Sequence, residues 1–205
     1  MKTTAIRLRK TLDTATCAAL VMCVSACGGG GTSIGGSLTG LASGNTVVLE
    51  DNGANALTLA ANGSFQFSQS IGDSASYGVT VSTQPAGQVC SVSNGSGTAG
   101  GDGQAVSNVT VACVAMQEVQ GSIAGLDAGN VITLSDGPTT VSVSENGGFG
   151  FPGNQPVGTA YNTVIIAQPA NQTCAVTNAA GTLGASNALP ITITCADNAP
   201  ASAPQ

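Results

Sequence analysis

The feature that most constrains this chain is that it says the same thing twice: one unit occurs in two copies with its landmarks in the same order. Gly40-Leu41 is answered by Gly125-Leu126, Gly44-Asn45 by Gly129-Asn130, and Leu49 with Asp51 by Leu134 with Asp136. Asn62-Gly63 with Phe65 and Phe67 returns as Asn146-Gly147 with Phe149 and Phe151. Tyr77, Gln84-Pro85 and Cys90 return as Tyr161, Gln168-Pro169 and Cys174. Val92, Asn94, Gly97 and Thr98 match Val176, Asn178, Gly181 and Thr182, and Cys113 and Cys195 close the two copies. The spacing between copies shortens along the chain, which places short gaps in the glycine-rich turns. Such a match makes each copy one structural unit. The boundaries it implies are 36–115 and 118–197.

Within a copy, apolar residues recur at every second position: Val47/Leu49, Leu57/Leu59, Phe65/Phe67, Val79/Val81 and Val109/Val111. That period turns one face of a strand to a core and the other to water. Asn62-Gly63 and Asn146-Gly147 sit between alternating runs, the strongest short signal for a hairpin. Helical periodicity is absent after residue 27. The first copy therefore predicts seven strands near 36–41, 46–50, 56–60, 64–68, 77–83, 88–93 and 108–114. Seven short strands in about 80 residues fit an all-β fold of two tandem immunoglobulin-like β-sandwich repeats. A small Greek-key barrel is the alternative.

The amino terminus has a different grammar. Lys2, Arg7, Arg9 and Lys10 precede an apolar stretch from Ala15 to Ala26, the order of a secretory signal. Spanning a bilayer as a helix takes roughly 20 apolar residues, more than this stretch supplies. Val24-Ser25-Ala26-Cys27-Gly28 resembles the lipobox of bacterial lipoproteins. The resemblance implies a signal peptide over 1–26, cleavage before Cys27 and acylation (palmitate or a similar chain) of its sulfur. Gly28 after the cysteine implies, by the same resemblance, a lipid anchor in the outer membrane. Two or three chains would make that anchor durable where one holds marginally. Plain signal cleavage after Ala26, leaving a free thiol, is the alternative. Residues 27–35, rich in glycine, read as a flexible tether.

The run Gln84-Pro85-Ala-Gly-Gln88-Val-Cys90-Ser-Val92-Ser-Asn94-Gly95, closed by Val109-Thr-Val111-Ala-Cys113, resembles a Cys-pair repeat of secreted and lipid-anchored bacterial proteins. The resemblance covers about 36–196 and brings no catalytic residue with it. In that family such units often precede β-propeller or other domains. Here Asn198 to Gln205 follows instead, and 198–205 reads as a disordered tail.

Of the seven cysteines, two lie in the signal, one is Cys27 and each repeat keeps two. An even count per repeat in an oxidising compartment predicts disulfides Cys90–Cys113 and Cys174–Cys195. Their place in the alternation, on the faces of Val92 and Val111, turns the sulfurs into the core. A metal site is not expected, because a pair of cysteines with neither His nor CxxC lacks a ligand set.

All four basic residues lie in the first ten positions and the chain has no His. The mature protein would keep every carboxylate but Asp13 and no cation, so it cannot neutralise phosphates, and nucleic acid is excluded as a partner. The same deficit removes the usual bases for catalysis. Asp51 and Asp136 are the one acidic position that recurs. They read as turn residues closing a hairpin or as part of a weak Ca²⁺ site. Tyr77 and Tyr161 read as core or corner tyrosines, or as a binding face. The function these observations predict is a non-enzymatic, cofactor-free cell-envelope protein acting as a stalk or spacer. Its partners are the membrane, through the lipid anchor, and an envelope protein or glycan. The alternative is a carbohydrate- or protein-binding adhesin module.

Overall fold

The computed structural model describes residues 31–186 and 190–199. The signal, Cys27 and residues 200–205 of the expected tail lie outside that range. The described residues form strands and turns only. In the first repeat these are β1 (Ile34–Thr39), β2 (Val47–Asp51), β3 (Asn55–Leu59), β4 (Gly63–Gln66), β5 (Ser76–Thr83), β6 (Gln88–Ser93), β7 (Ser96–Thr98) and the start of β8 (Val106–Ala124). One sheet pairs β4 with β1 antiparallel, β1 with β8 parallel and β8 with β6 antiparallel. The other runs β3-β2-β5-β7.

The second repeat uses the end of β8, then β9 (Ile132–Asp136), β10 (Thr139–Val143), β11 (Gly147–Pro156), β12 (Ala160–Ala167), β13 (Gln172–Thr177), β14 (Ala180–Thr182) and β15 (Ile191–Asp197). Its sheets repeat the scheme: β11 and β15 flank β8, β13 pairs with β15, and β10-β9-β12-β14 forms the facing layer. Each repeat is a β-sandwich with its own core. In the first, Ile34, Leu38, Val109 and Val111 of one sheet meet Val47, Leu49 and Val79 of the other. In the second, Val119, Ile123, Ile191 and Ile193 meet Ile132 and Leu134. Phe65 and Phe67 pack edge to face at 6.1 Å, as do Phe149 and Phe151, a geometry the ring quadrupoles favour.

Two differences from the sequence expectation stand out. Each repeat has eight strands, because Ser96–Thr98 and Ala180–Thr182 pair as short edges against β5 and β12. Also, the strand expected at 108–114 does not stop. β8 runs for 19 residues through the expected boundary at 115–118, the last strand of one sandwich and the first of the next. Its alternation keeps step throughout: Val109, Val111 and Cys113 enter the first core, Val119 and Ile123 the second. Met116 N donates to Gly87 O and Val157 N donates to Ala115 O, each at 2.8 Å, so the junction is hydrogen-bonded to both repeats.

The tether expected over 27–35 is shorter on its described side. Thr32 is fully buried and exchanges two backbone hydrogen bonds with Ile71, and β1 already begins at Ile34. The alternation that begins with buried Ile34 draws these residues into the sheet, where the glycines had suggested slack. At the other end Asn198 is still attached, donating its N–H to Asn171 O at 3.0 Å.

Candidate functional site

The polar residues that recur in both repeats are the natural place to look for a site, and the fold occupies them. Asn62 closes on Leu41 twice: its Oδ1 accepts from Leu41 N and its Nδ2 donates to Leu41 O, both at 2.8 Å. Asn146 does the same to Leu126 at 2.8 and 2.7 Å. Gln84 takes the backbone of Cys90 in the same two-point fashion, at 2.7 and 3.0 Å, and Gln168 that of Cys174, at 2.8 and 2.9 Å. A primary amide offers one acceptor and two donors at a fixed spacing, so it can replace a missing ladder partner of one residue.

Gln88 and Gln172 go deeper. Buried Gln88 donates to Gly40 O at 2.7 Å and accepts from Ala42 N and from Asn45 Nδ2 at 2.9 and 3.0 Å. Gln172 repeats this with Gly125 O, Asp127 N and Asn130 Nδ2, and adds a donation to Asp197 Oδ1 at 3.0 Å. A buried amide without such partners would cost on the order of a few kcal/mol. These partners tie the loop after the first strand of each repeat to the strand carrying the first cysteine. Gly40 and Gly125 are needed there twice over: φ is +76° and +80°, and a Cβ would run into the carbonyl of Cys113 or Cys195.

Asp51 and Asp136 are buried, whereas Glu50 lies half-exposed on the opposite face of β2. The adjacent carboxylates therefore do not form a pair. Asp51 Oδ1 accepts from Gly78 N at 2.9 Å and Asp136 Oδ1 from Asn162 N at 2.7 Å, cross-strand caps at the hairpin end. Among the described residues no three His, Cys, Asp or Glu side chains gather. Tyr77 and Tyr161 are buried, their rings lying over Gly97 and Gly181, their cross-strand partners. Any side chain at either glycine would strike the ring.

Cys90 faces Cys113 across β6 and β8, and Cys174 faces Cys195 across β13 and β15; both pairs are bonded. All four are buried. Each bond links neighbours within one sheet rather than the two layers of the sandwich.

Two clefts remain. One of about 380 Å³ lies along β1 and β4, lined by Ser33, Gly35, Ser64, Phe65 and Gln66, with no ionisable side chain. A tighter one of about 200 Å³ lies beside β8 in the second repeat, lined by Gln117, Glu118, Gln120, Tyr161 and Thr182. Its single carboxylate, Glu118, shares the lining with the phenol of Tyr161 and with no His, Lys or second carboxylate. Sequence reasoning did not single out Glu118, nor a group of apolar side chains on the second repeat: Val131, Val164 and Ile166 are 49%, 45% and 56% exposed. The signal for the latter was readable, since the same places in the first repeat hold Thr46, Thr80 and Ser82. Cys27 lies outside the described residues.

Set against known proteins, the chain matches no protein-family model and no curated protein sequence.

Proposed function

We propose that the protein is a non-enzymatic envelope spacer, held in the outer membrane by acyl chains on Cys27 and built from two β-sandwiches in line. The observation that carries this reading is the fate of the shared polar residues. Asn62, Gln84, Gln88, Asp51 and their counterparts bind backbone of their own repeat, so what duplication preserved is a fold. A site kept in both copies would need polar groups left over for a ligand. The tripartite amino terminus supports export and anchoring, and the lipobox-like Val24-Ser25-Ala26-Cys27 supports lipidation. The likeness of Gln84 to Cys113 to repeats of secreted bacterial proteins supports the same compartment and rests on that motif alone.

Metabolic labelling with a fatty-acid analogue tests the anchor. Label in the wild type that vanishes in Cys27→Ser is expected. Equal label in both would sink it, and turnover in a hydrolase substrate panel abolished by one Ser, Asp or Glu substitution would sink the non-enzymatic part.

A second reading, a module that binds an envelope protein or glycan, is favoured by one observation. The exposed Val131, Val164 and Ile166 occupy the second repeat where the first carries hydroxyls, and solvent alone gives no reason to prefer valine and isoleucine there.

A further inference from the structure

We infer that the two sandwiches are built to carry tension along the chain, each closed by a ladder that a pull between the two ends loads in shear. The proposed function enters only in saying that one end is held at a membrane; the geometry stands without it.

The chain enters the first repeat at the start of β1 and leaves it along β8. These two strands are immediate neighbours and parallel, with Ile34 opposite Val106, Ser37 opposite Thr110 and Thr39 opposite Ala112. A force separating the termini drags β1 toward its beginning and β8 toward its end. In a parallel pair those are opposite directions along one ladder, so its hydrogen bonds resist together. An antiparallel pair pulled from adjacent ends opens one bond at a time. The second repeat has the same closure: the chain enters on β8, leaves on β15, and Ile191 to Thr194 lie parallel to Gly121 to Ala124.

Between the two closures there is no slack. Load leaving the first ladder passes through residues 115–118 of the same strand into the second, and that stretch is hydrogen-bonded on both sides. The disulfides sit beside the load path. Cys113 lies on β8 and Cys195 on β15, each tied to the neighbouring strand. If a ladder gives way, the chain between the bonded cysteines stays closed and cannot pay out.

Single-molecule pulling of the whole protein tests this, first between handles at its two termini, then between the N-terminus and a handle at exposed Gln69. The second geometry pulls β1 and β4 apart from the same end of an antiparallel ladder, Gly35 opposite Gln66 to Leu38 opposite Gly63, and peels it. The expected result is two unfolding steps in the end-to-end geometry, at several-fold higher force than the first opening from Gln69. Adding a reductant should lengthen the step of the first repeat by about 80 Å, from a sequence separation of 23 and about 3.6 Å per extended residue. Equal forces in the two geometries would overturn the inference, as would a reductant that lowers the end-to-end force to the peeling value. The test uses no membrane, so an unlabelled Cys27 would remove the anchor and leave this result standing.

Discussion

The two repeats bury the same places and differ outside, and a core position that changes from apolar to polar is informative. On the faces turned to solvent, Thr46, Thr80 and Ser82 of the first repeat stand where the second has Val131, Val164 and Ile166. In the core, Val79 of β5 is matched by Thr163 of β12. Each is the cross-strand partner of a buried aspartate, Asp51 or Asp136. Thr163 is buried and its hydroxyl has no hydrogen-bond partner among the described residues. Among the described residues each repeat thus carries one buried hydroxyl without a partner, Thr32 in the first and Thr163 in the second, but only Thr163 stands where the other copy has an apolar core residue. The amide contacts and the disulfide are the same in both copies.

The largest expected effect probes whether the halves are separable at all. Replacing Cys90 and Cys113 together with alanine should cost the first repeat about 3 kcal/mol, the loop-closure value for this length. Hydrogen exchange read separately on β5 and β12 should show most of the loss in the first repeat. An equal loss in both would mean that β8 makes the two sandwiches one cooperative unit.

Next come the buried amides. Gln88→Ala and Gln172→Ala should each cost about 2–3 kcal/mol through the backbone groups left unpaired. The second should cost more, because only Gln172 also meets a carboxylate, Asp197. Denaturant midpoints of the two variants give the comparison directly, and a milder Gln172→Ala would break it.

Thr163→Val should stabilise the second repeat by about 1 kcal/mol by removing an unpaired buried hydroxyl at constant volume. The mirror change Val79→Thr should destabilise the first by a similar amount, measured by thermal unfolding. A destabilising Thr163→Val would show that the hydroxyl is paired in solution.

The smallest effect on stability, within about 0.5 kcal/mol, is expected for Val164→Thr combined with Ile166→Ser, which give the second repeat the first one's surface. Capture of envelope proteins or glycans by the intact protein is the sharper measurement. Capture lost in this variant supports the binding reading, and capture unchanged removes it.

Much of this architecture was legible in residues 36–197. Alternation marked Val47/Leu49 and Val109/Val111 because a half-buried strand cannot hide its period of two. The cysteines were paired by position in the repeat. The edges Ser96–Thr98 and Ala180–Thr182 were not legible, since three exposed small residues carry no alternation. The continuity of β8 has a signal in the sequence, although the expected boundary at 115–118 cuts across it. From Val109 to Gln120 there is no Gly, Pro, Asn, Asp or Ser to turn the chain, and a linker without a turn former is a strand. The partners of Gln84 and Gln88 were beyond reach for another reason: they are backbone atoms, as far off as Gly40, and a backbone atom leaves no mark in a sequence.

The shared strand also sets an order of assembly. The first sandwich closes only when residues 106–112 reach β1, a contact between segments about as far apart as Ser37 and Thr110, and such non-local closures are the slow steps of β folding. Once it has closed, the bond from Met116 N to Gly87 O holds the root of the next strand in place, and the residues it fixes need not be ordered again at about 1–2 kcal/mol each. The second sandwich then begins with the root of β8 fixed, the strand to which β11 and β15 add. A chain emerging N-terminus first therefore starts its second half from an anchored strand, and the two copies, alike in sequence and each needing one non-local closure, fold under unequal conditions.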